Sequence, residues 1–330
     1  GAYITGVAGT DRVNETMTRF AWWEDIRTDH VDLRAALAAA SRRTRDVDED
    51  VGVVPPLSLP QGDLLPASAA MGVLVGGPYL RSHARGWEIA PGRTLDARHF
   101  LGRLHELTDI VAEVMPGTDR LMVHVTGPWT FGADVEYRGH PLCFDRPAFR
   151  DVALSLGEGV REFCDAVGAS VVHVHERRLG EVTSHLQGAT EFETMQVDRE
   201  VALNVERRFI DQVRGGTARR VVLDTGLVWP ELLHTGADAL VVDEISGERT
   251  DDVAGLIDAG AQVAWRVDDA RSSEDIAREV IGTWRLWTFD AATPEPQIDL
   301  VAVGDGVLKP GPAAELARTV RGAAALLHSN

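Results

Sequence analysis

The segment Val171-Val172-His173-Val174-His175-Glu176 carries the densest chemistry in the chain. In an extended strand, residues two apart share a face, so His173 and His175 point one way while Val172, Val174 and Glu176 point the other. A pair of imidazoles on one strand can bind a metal ion, with Asp224, Asp243 or Asp305 adding oxygen ligands. Such pairs more often serve hydrogen bonding or general acid–base work, and no metal is assigned on this evidence. Glu176, at the end of an apolar run, would act as acid or base if burial raised its pKa. His175, Glu176 and Asp224 are accordingly the catalytic candidates. Arg266 suits a substrate carboxylate, which a guanidinium grips as a fork, and suits equally an ion pair with Asp243 or Asp268. His124, Thr126, Trp129, His173, Asp243, Glu244 and Asp305 complete the substrate-binding candidates, although His124 would serve as well as a satisfied core histidine. Cys143 and Cys164 have no neighbouring signature of an activated thiol and read as structural. Trp22, Trp23 and Trp129 could stack on a flat ligand, whereas ordinary packing accounts for most tryptophans.

These residues share a context, since they end or follow short apolar runs. The runs are Leu121–Thr126, Ser170–Glu176, Arg220–Asp224, Ala239–Asp243, Gln262–Val267 and Ile298–Val303. Each is too short for a helix and nearly continuous, as strands buried on both faces should be. Amphipathic segments lie between them, near Arg146–Val167, Asp198–Arg214, Thr250–Ala259, Ser273–Trp287 and Ala313–Leu327. The first 120 residues are less regular. Strands are expected at Ala2–Val7 and Met71–Gly76, and helices near Arg12–Phe20 and His99–Val114. A stretch rich in Asp, Pro and Gly, residues 46–67, reads as a long loop or lid. The sum is a single-domain α/β protein over residues 1–330, a (β/α)8 TIM barrel with an irregular N-terminal third. An open doubly wound sheet is the runner-up, but no Gly-x-Gly-x-x-Gly follows a strand, so a dinucleotide site has no support. In a barrel the polar strand ends converge on one mouth; the plain alternative is that strands turn polar where they reach solvent.

Composition narrows the partners. The 330 residues hold 33 Lys+Arg against 51 Asp+Glu, a formal net charge of −18, with 44% hydrophobic and 25% charged residues. That charge disfavours nucleic acid, because the one basic run, Arg42, Arg43 and Arg45, meets Asp46, Asp48, Glu49 and Asp50 at once. Two cysteines exclude a disulfide framework. No apolar stretch approaches the ~18 residues that span a membrane, and Gly1-Ala2-Tyr3-Ile4 does not begin a secretory signal. The expectation is a cytoplasmic protein with a small-molecule substrate and no nucleic-acid or membrane partner, with a homodimer left open.

Gly127-Pro128-Trp129-Thr130, following a strand, resembles the Gly-Pro-x-Thr element of cobalamin-independent methionine synthases, members of the uroporphyrinogen-decarboxylase/methionine-synthase superfamily of barrels. Other segments fall in register with that family. Ile4-Thr5-Gly6 and Gly9-Thr10-Asp11 resemble its opening strand and loop, and Val172–Leu179 its Gln-x-Asp-Glu-Pro strand. Ala237–Asp243 resembles the strand leading to a metal-binding Glu, and Asp305-Gly306-Val307-Leu308-Lys309 its Asp-Cys-Gly-Leu-Lys. The resemblance implies a barrel with methyl-transfer chemistry on a zinc-bound thiolate. The family's zinc ligands are a His-x-Cys, a Glu and a Cys, and the positions here are Leu223 and Thr225, Asp243, and Gly306. One carboxylate is not a zinc site. His175 and Arg177 stand where the family has the Asp and Pro of Asp-Glu-Pro, and Val7 replaces the Ser of its opening Gly-Ser. The family's pterin-stacking Trp falls at Asp134, with Trp129 a shifted replacement, so a folate donor stays open while zinc and other cofactors are not expected. No Arg-rich amino-terminal signature of uroporphyrinogen decarboxylase is present. The expectation is a diverged methionine-synthase-like enzyme without the family zinc. It would act on a small amino-acid-like or carboxylate substrate by acid–base chemistry, in a methyl or one-carbon transfer or a lyase step. A non-catalytic ligand- or partner-binding relative is the alternative, and a metalloenzyme rebuilt around His173, His175 and acidic residues a third reading.

Overall fold

The computed structural model describes residues 19–23, 32–43, 51–57, 64–117, 120–243, 249–268, 271–287, 298–303 and 310–329. Eight strands form one sheet: β1 Arg19–Trp23, β2 Val51–Val54, β3 Met122–Thr126, β4 Val171–His175, β5 Arg220–Asp224, β6 Ala239–Val242, β7 Val263–Asp268 and β8 Ile298–Val303. Every pairing between them is parallel, and neighbours in sequence are neighbours in space, with β8 returning to β1. Beyond β2 the chain meets β3 through a parallel bridge, Pro56 with Met122. There Leu57 N donates to Met122 O at 3.1 Å and Met122 N to Pro55 O at 3.2 Å, so the prolines lie where only carbonyls and the Leu57 N–H are needed. This is a TIM-like α/β fold.

Helices α1 Leu33–Arg43, α2 Leu64–Val73, α3 Leu95–Val114, α4 Pro128–Asp134, α5 Arg146–Val167, α6 Leu179–Ser184, α7 Arg199–Arg214, α8 Arg249–Asp258, α9 Ser273–Leu286 and α10 Pro310–Ser329 fill the connections. Their ends follow local chemistry. Asp145 caps α5 by accepting from Ala148 N, and left-handed Gly168 ends it. Asp198 and Gly215 do the same for α7.

The strand alternation separates two apolar layers. Trp22, Val54, Met122, Val171, Val222, Val241, Ala264 and Val301 pack together as one cluster inside the curled sheet. Val123, Val125, Val172, Val174, Val221 and Leu223 join the larger cluster beneath the helices. At the amino-terminal ends of the strands the interior is sealed by Asp299. It accepts from Phe20 N at 2.9 Å, Gln262 Nε2 at 2.8 Å and Arg220 Nη2 at 2.7 Å, while Arg220 also lies over the Phe20 ring.

The strands expected from 121 to 303 lie where the apolar runs put them, and so do α5, α7, α8, α9 and α10 to within a few residues. The expected strand Ala2–Val7 and most of the expected helix Arg12–Phe20 lie outside the described residues, and Phe20 itself belongs to β1. Met71–Gly76 is not a strand: Met71 to Val73 end α2, and a turn leads to the cis bond Gly77-Pro78. Small residues there serve helix packing, since a Cβ on Gly159 of α5 would lie 2.2 Å from Met71 O. Residues 46–67 are not simply a loop, because they contain β2 and the start of α2. A four-stranded sheet of Tyr79–His83, Gly86–Ala90, Val135–Tyr137 and His140–Pro141 was not anticipated. No helix among the described residues is long and apolar enough to cross a membrane.

Candidate functional site

Register decides what meets at the carboxyl ends of the strands. His124 pairs with His173 across β3 and β4, and Asp224 pairs with His175 across β4 and β5. Their shared parity sends all four side chains into the interior. His173 Nε2 lies 2.9 Å from Asp224 Oδ2, and His175 Nδ1 lies 3.7 Å from the same oxygen. His175 Nε2 is 3.0 Å from His124 Nδ1. The His173 and His175 rings stack parallel, with centroids 4.2 Å apart, and the Trp22 ring edge abuts His173. One carboxylate thus anchors a chain of three imidazoles.

Two guanidinium groups close the mouth above it. Arg177 reaches Asp224 Oδ1 at 2.8 Å and grips Asp243 bidentately at 2.7 and 2.8 Å. Arg266 lies 3.3 Å from Asp224 Oδ2 and 3.5 Å from Asp243 Oδ1. Gly226, at φ 71°, permits this arrangement: a Cβ there would sit 2.6 Å from Arg177 Nη1. Asp224 is fully buried, and burial opposes its charge. The hydrogen bond from His173 and the charge of Arg266 nevertheless hold its carboxyl far below the usual range. Burial pushes His124 and His175 well below the ordinary imidazole value, and the neighbouring His173 adds to the effect. Those two rings are therefore neutral near neutral pH, with nitrogen lone pairs available.

Glu176 is elsewhere. It projects from the opposite face of β4, fully buried, toward the start of α4. Its Oε1 accepts from Thr130 N at 2.5 Å and Thr130 Oγ1 at 2.6 Å, and its Oε2 accepts from Trp129 N at 3.1 Å. A Cβ on Gly127 would fall 2.2 Å from Oε2, so the Gly-Pro turn gives this carboxylate its room. Beside it on α7 sits Glu206, fully buried and sharing a side-chain hydrogen bond with Glu176. Burial raises both carboxyls, and the bonds from Thr130 and Trp129 oppose this at Glu176. The charge and hydrogen bond of Glu176 push Glu206 well above the usual range, so Glu206 keeps the proton and donates it to Glu176 in that bond. Glu176 ties a strand end to a helix start and does not face the mouth.

The other expected residues divide similarly. His124, His173, His175, Asp224, Asp243 and Arg266 come together. Thr126 is buried at the end of β3, its N–H donating to Ser68 Oγ at 3.0 Å. Trp129 does not face the mouth: its Nε1 donates to Ala202 O at 3.0 Å and its ring stacks on Phe149 at 4.4 Å. It lines a separate groove of about 620 Å³ between α5 and α7, with Phe149, Met195, Val205 and Phe209. Glu244 and Asp305 lie outside the described residues. Both cysteines are free and buried, and burial pushes their thiols up to about 12, which disqualifies them as nucleophiles near neutral pH. Two important residues were not singled out from sequence. Arg177 continues the His173, His175 parity by one more step. Glu206 stands within the buried stripe Ala202, Leu203, Phe209, Ile210 and Val213, where a lone carboxylate is anomalous.

No protein-family model and no curated protein sequence matches the chain. Solved structures are similar. A methyltransferase from Methanosarcina mazei superposes with a TM-score of 0.50 at 13% identity, over 81% of this chain and 79% of that one. A D-allulose 3-epimerase from Methylomonas sp. gives 0.45 at 10% identity, over 93% and 95%. An α-amylase from Geobacillus thermoleovorans gives 0.46 at 11%, over 93% and 78%. At such identity the likeness to the methyltransferase speaks to architecture alone, in keeping with the TIM-like α/β fold of the parallel sheet.

Proposed function

We propose that this chain is one (β/α)8 barrel domain, closed by the Pro56–Met122 bridge, and an enzyme whose chemistry lies at the carboxyl-terminal mouth of the strands. Its substrate is a small carboxylate-bearing, amino-acid-like molecule, and the reaction is acid–base chemistry in a methyl or one-carbon transfer or a lyase step. One observation carries this reading: Arg177 and Arg266 share Asp224 and Asp243 beside three clustered imidazoles, two of them fully buried. Four alternating charges held at a mouth form an exchangeable network. A substrate carboxylate competes with Asp243, which is only half-buried, for the two guanidinium forks, while Asp243 turns toward a substrate ammonium or hydroxyl. Asp224 stays in place to orient His173 and His175 at the reacting centre. TIM-like enzymes keep their chemistry at this end of the barrel, while the opposite end, here Asp299 with Arg220, serves stability.

The methionine-synthase resemblance agrees with the strand order but not with the family's zinc chemistry. Leu223 belongs to the apolar layer beneath the helices and cannot ligate, and Thr225 supplies only a hydroxyl. The reading is therefore a diverged relative without the family zinc. A thermal-shift screen of small carboxylates and amino acids tests it. At least one should stabilise the parent protein, and Arg266→Gln should abolish the shift while leaving the fold intact. Once a substrate is in hand, folded His175→Ala should lose turnover. A screen in which no carboxylate acts, or in which Arg266→Gln responds like the parent, overturns the reading in favour of a non-catalytic relative.

A further inference from the structure

We propose that His124, His173 and His175 form a binding site for one divalent ion of the zinc class, with Asp224 as the carboxylate that orients the ligating rings. This departs from the metal-free expectation and uses ligands unrelated to the family positions at Leu223, Thr225 and Gly306. It rests on the proposed function only in taking the mouth as the working end of the barrel.

The geometry supports the assignment in three ways. First, one ligand nitrogen from each ring lies within 4.8 Å of the other two. Tetrahedral zinc, with Zn–N near 2.0–2.1 Å, needs ligand nitrogens about 3.4 Å apart, so closure requires rotations of roughly 1 Å at the ring tips. Second, His124 and His173 present unspent nitrogens, and His175 offers its Nε2 once its contact with His124 opens. His173 uses Nε2 on Asp224, and its buried Nδ1 has no partner. His124 uses Nδ1 on His175, and its buried Nε2 likewise has none. Buried polar atoms are almost always satisfied, and each exception costs about 1–3 kcal/mol, so two in adjacent, fully buried histidines call for a ligand. Third, metal-bound histidines commonly give their other nitrogen to a carboxylate, which fixes the tautomer; Asp224 does this for His173 and lies 3.7 Å from His175 Nδ1.

Charge then names the fourth ligand. Arg177 and Arg266 balance Asp224 and Asp243, so a dication held by imidazole lone pairs leaves the mouth with a surplus positive charge. An anionic oxygen, from hydroxide or a substrate carboxylate, satisfies it. His175, alone of the three in being partly exposed, marks the open side of the site.

The test uses the full chain purified without chelator, stripped by dialysis against dipicolinate, and titrated with Co²⁺ as a spectroscopic probe. Expected are visible d–d bands saturating near about one equivalent, displaced by Zn²⁺, as a three-nitrogen site with an open position predicts. His124→Gln and His173→Gln should weaken binding by at least about 100-fold, and Asp224→Asn by about 10–100-fold, beyond the effect of an oriented outer carboxylate alone only for the ligands. If a buried-histidine variant does not fold, by circular dichroism, the rim variant His175→Gln takes its place. The proposal is overturned if the folded parent binds less than about a tenth of an equivalent at saturating Co²⁺, or if the glutamine variants bind like the parent. The carboxylate screen on Arg266→Gln is independent: a metal without carboxylate binding refutes the functional reading alone, and the reverse refutes this inference alone.

Discussion

Replacing Glu176 by glutamine should damage the fold, because its carboxylate holds the start of α4 and not a substrate. In the parent, Oε1 accepts two hydrogen bonds from Thr130 and Oε2 accepts one from Trp129 N. A glutamine keeps one acceptor oxygen. Its best orientation preserves the Thr130 pair and turns its NH2 group against the Trp129 N–H, donor facing donor. The loss is one hydrogen bond to an ionised acceptor, worth about 1.5–3 kcal/mol, with a buried N–H left unpaired. Removing the negative charge from the α4 N-terminus costs a further ~0.5 kcal/mol. The hydrogen bond that Glu206 gives to Glu176 is weakened by the same change, so the net loss should be about 2–3 kcal/mol. Urea denaturation near neutral pH, followed by far-ultraviolet circular dichroism and tryptophan fluorescence, measures it as a lower midpoint with unchanged slope. A Glu176→Gln protein within about 0.5 kcal/mol of the parent, with turnover or ligand response abolished, would refute this reasoning and return Glu176 to chemistry.

Other outcomes follow from the same geometry. Glu206 has a folded-state pKa raised above its ordinary 4.5, so its contribution to stability is fully present below that value and is lost as pH rises through the folded pKa. Glu206→Gln should flatten that decline, which denaturation at a series of pH values will register. Gly159→Ala should cost about 3 kcal/mol by forcing α5 from α2, whereas Gly102→Ala in α3, with nothing within 4 Å, should stabilise by about 0.5 kcal/mol; thermal denaturation distinguishes them. Asp299→Ala should lower stability by about 3–5 kcal/mol while leaving carboxylate binding at the opposite mouth unchanged, as paired denaturation and thermal-shift measurements will show.

The second half of the fold was legible because parallel strands buried on both faces leave continuous valine-rich runs, and because Asp145, Gly168, Asp198 and Gly215 punctuate α5 and α7. The first third was not. Helix α2 is buried nearly all round, so Leu64–Val73 lacks the one-sided periodicity that marks a helix, and its Ala-Met-Gly-Val end imitates a strand. Within the site, strand parity alone brought His173 and His175 together and placed Glu176 on the other face. The strand-end position of Glu176 points to chemistry, while its parity turns it toward Trp129 and Thr130 and away from the mouth. His124 could not be joined to them without knowing that β3 and β4 pair with His124 opposite His173, which is a fact of register. Arg177 was legible in principle, since it extends the His173–His175 alternation past the strand. Trp129 was misled by its neighbours in the Gly-Pro-Trp-Thr turn, whose role here is to present two backbone N–H groups to Glu176.

Where a bound carboxylate sits is the most direct question to put to this protein. A crystal structure with the best stabilising carboxylate from the thermal-shift screen should show its oxygens within hydrogen-bonding distance of Arg177 and Arg266, with Asp243 displaced and the imidazoles beneath. Density for the ligand in the α5–α7 groove beside Trp129, with the Arg177–Asp243 pair intact, would contradict the claim that the mouth is the functional site.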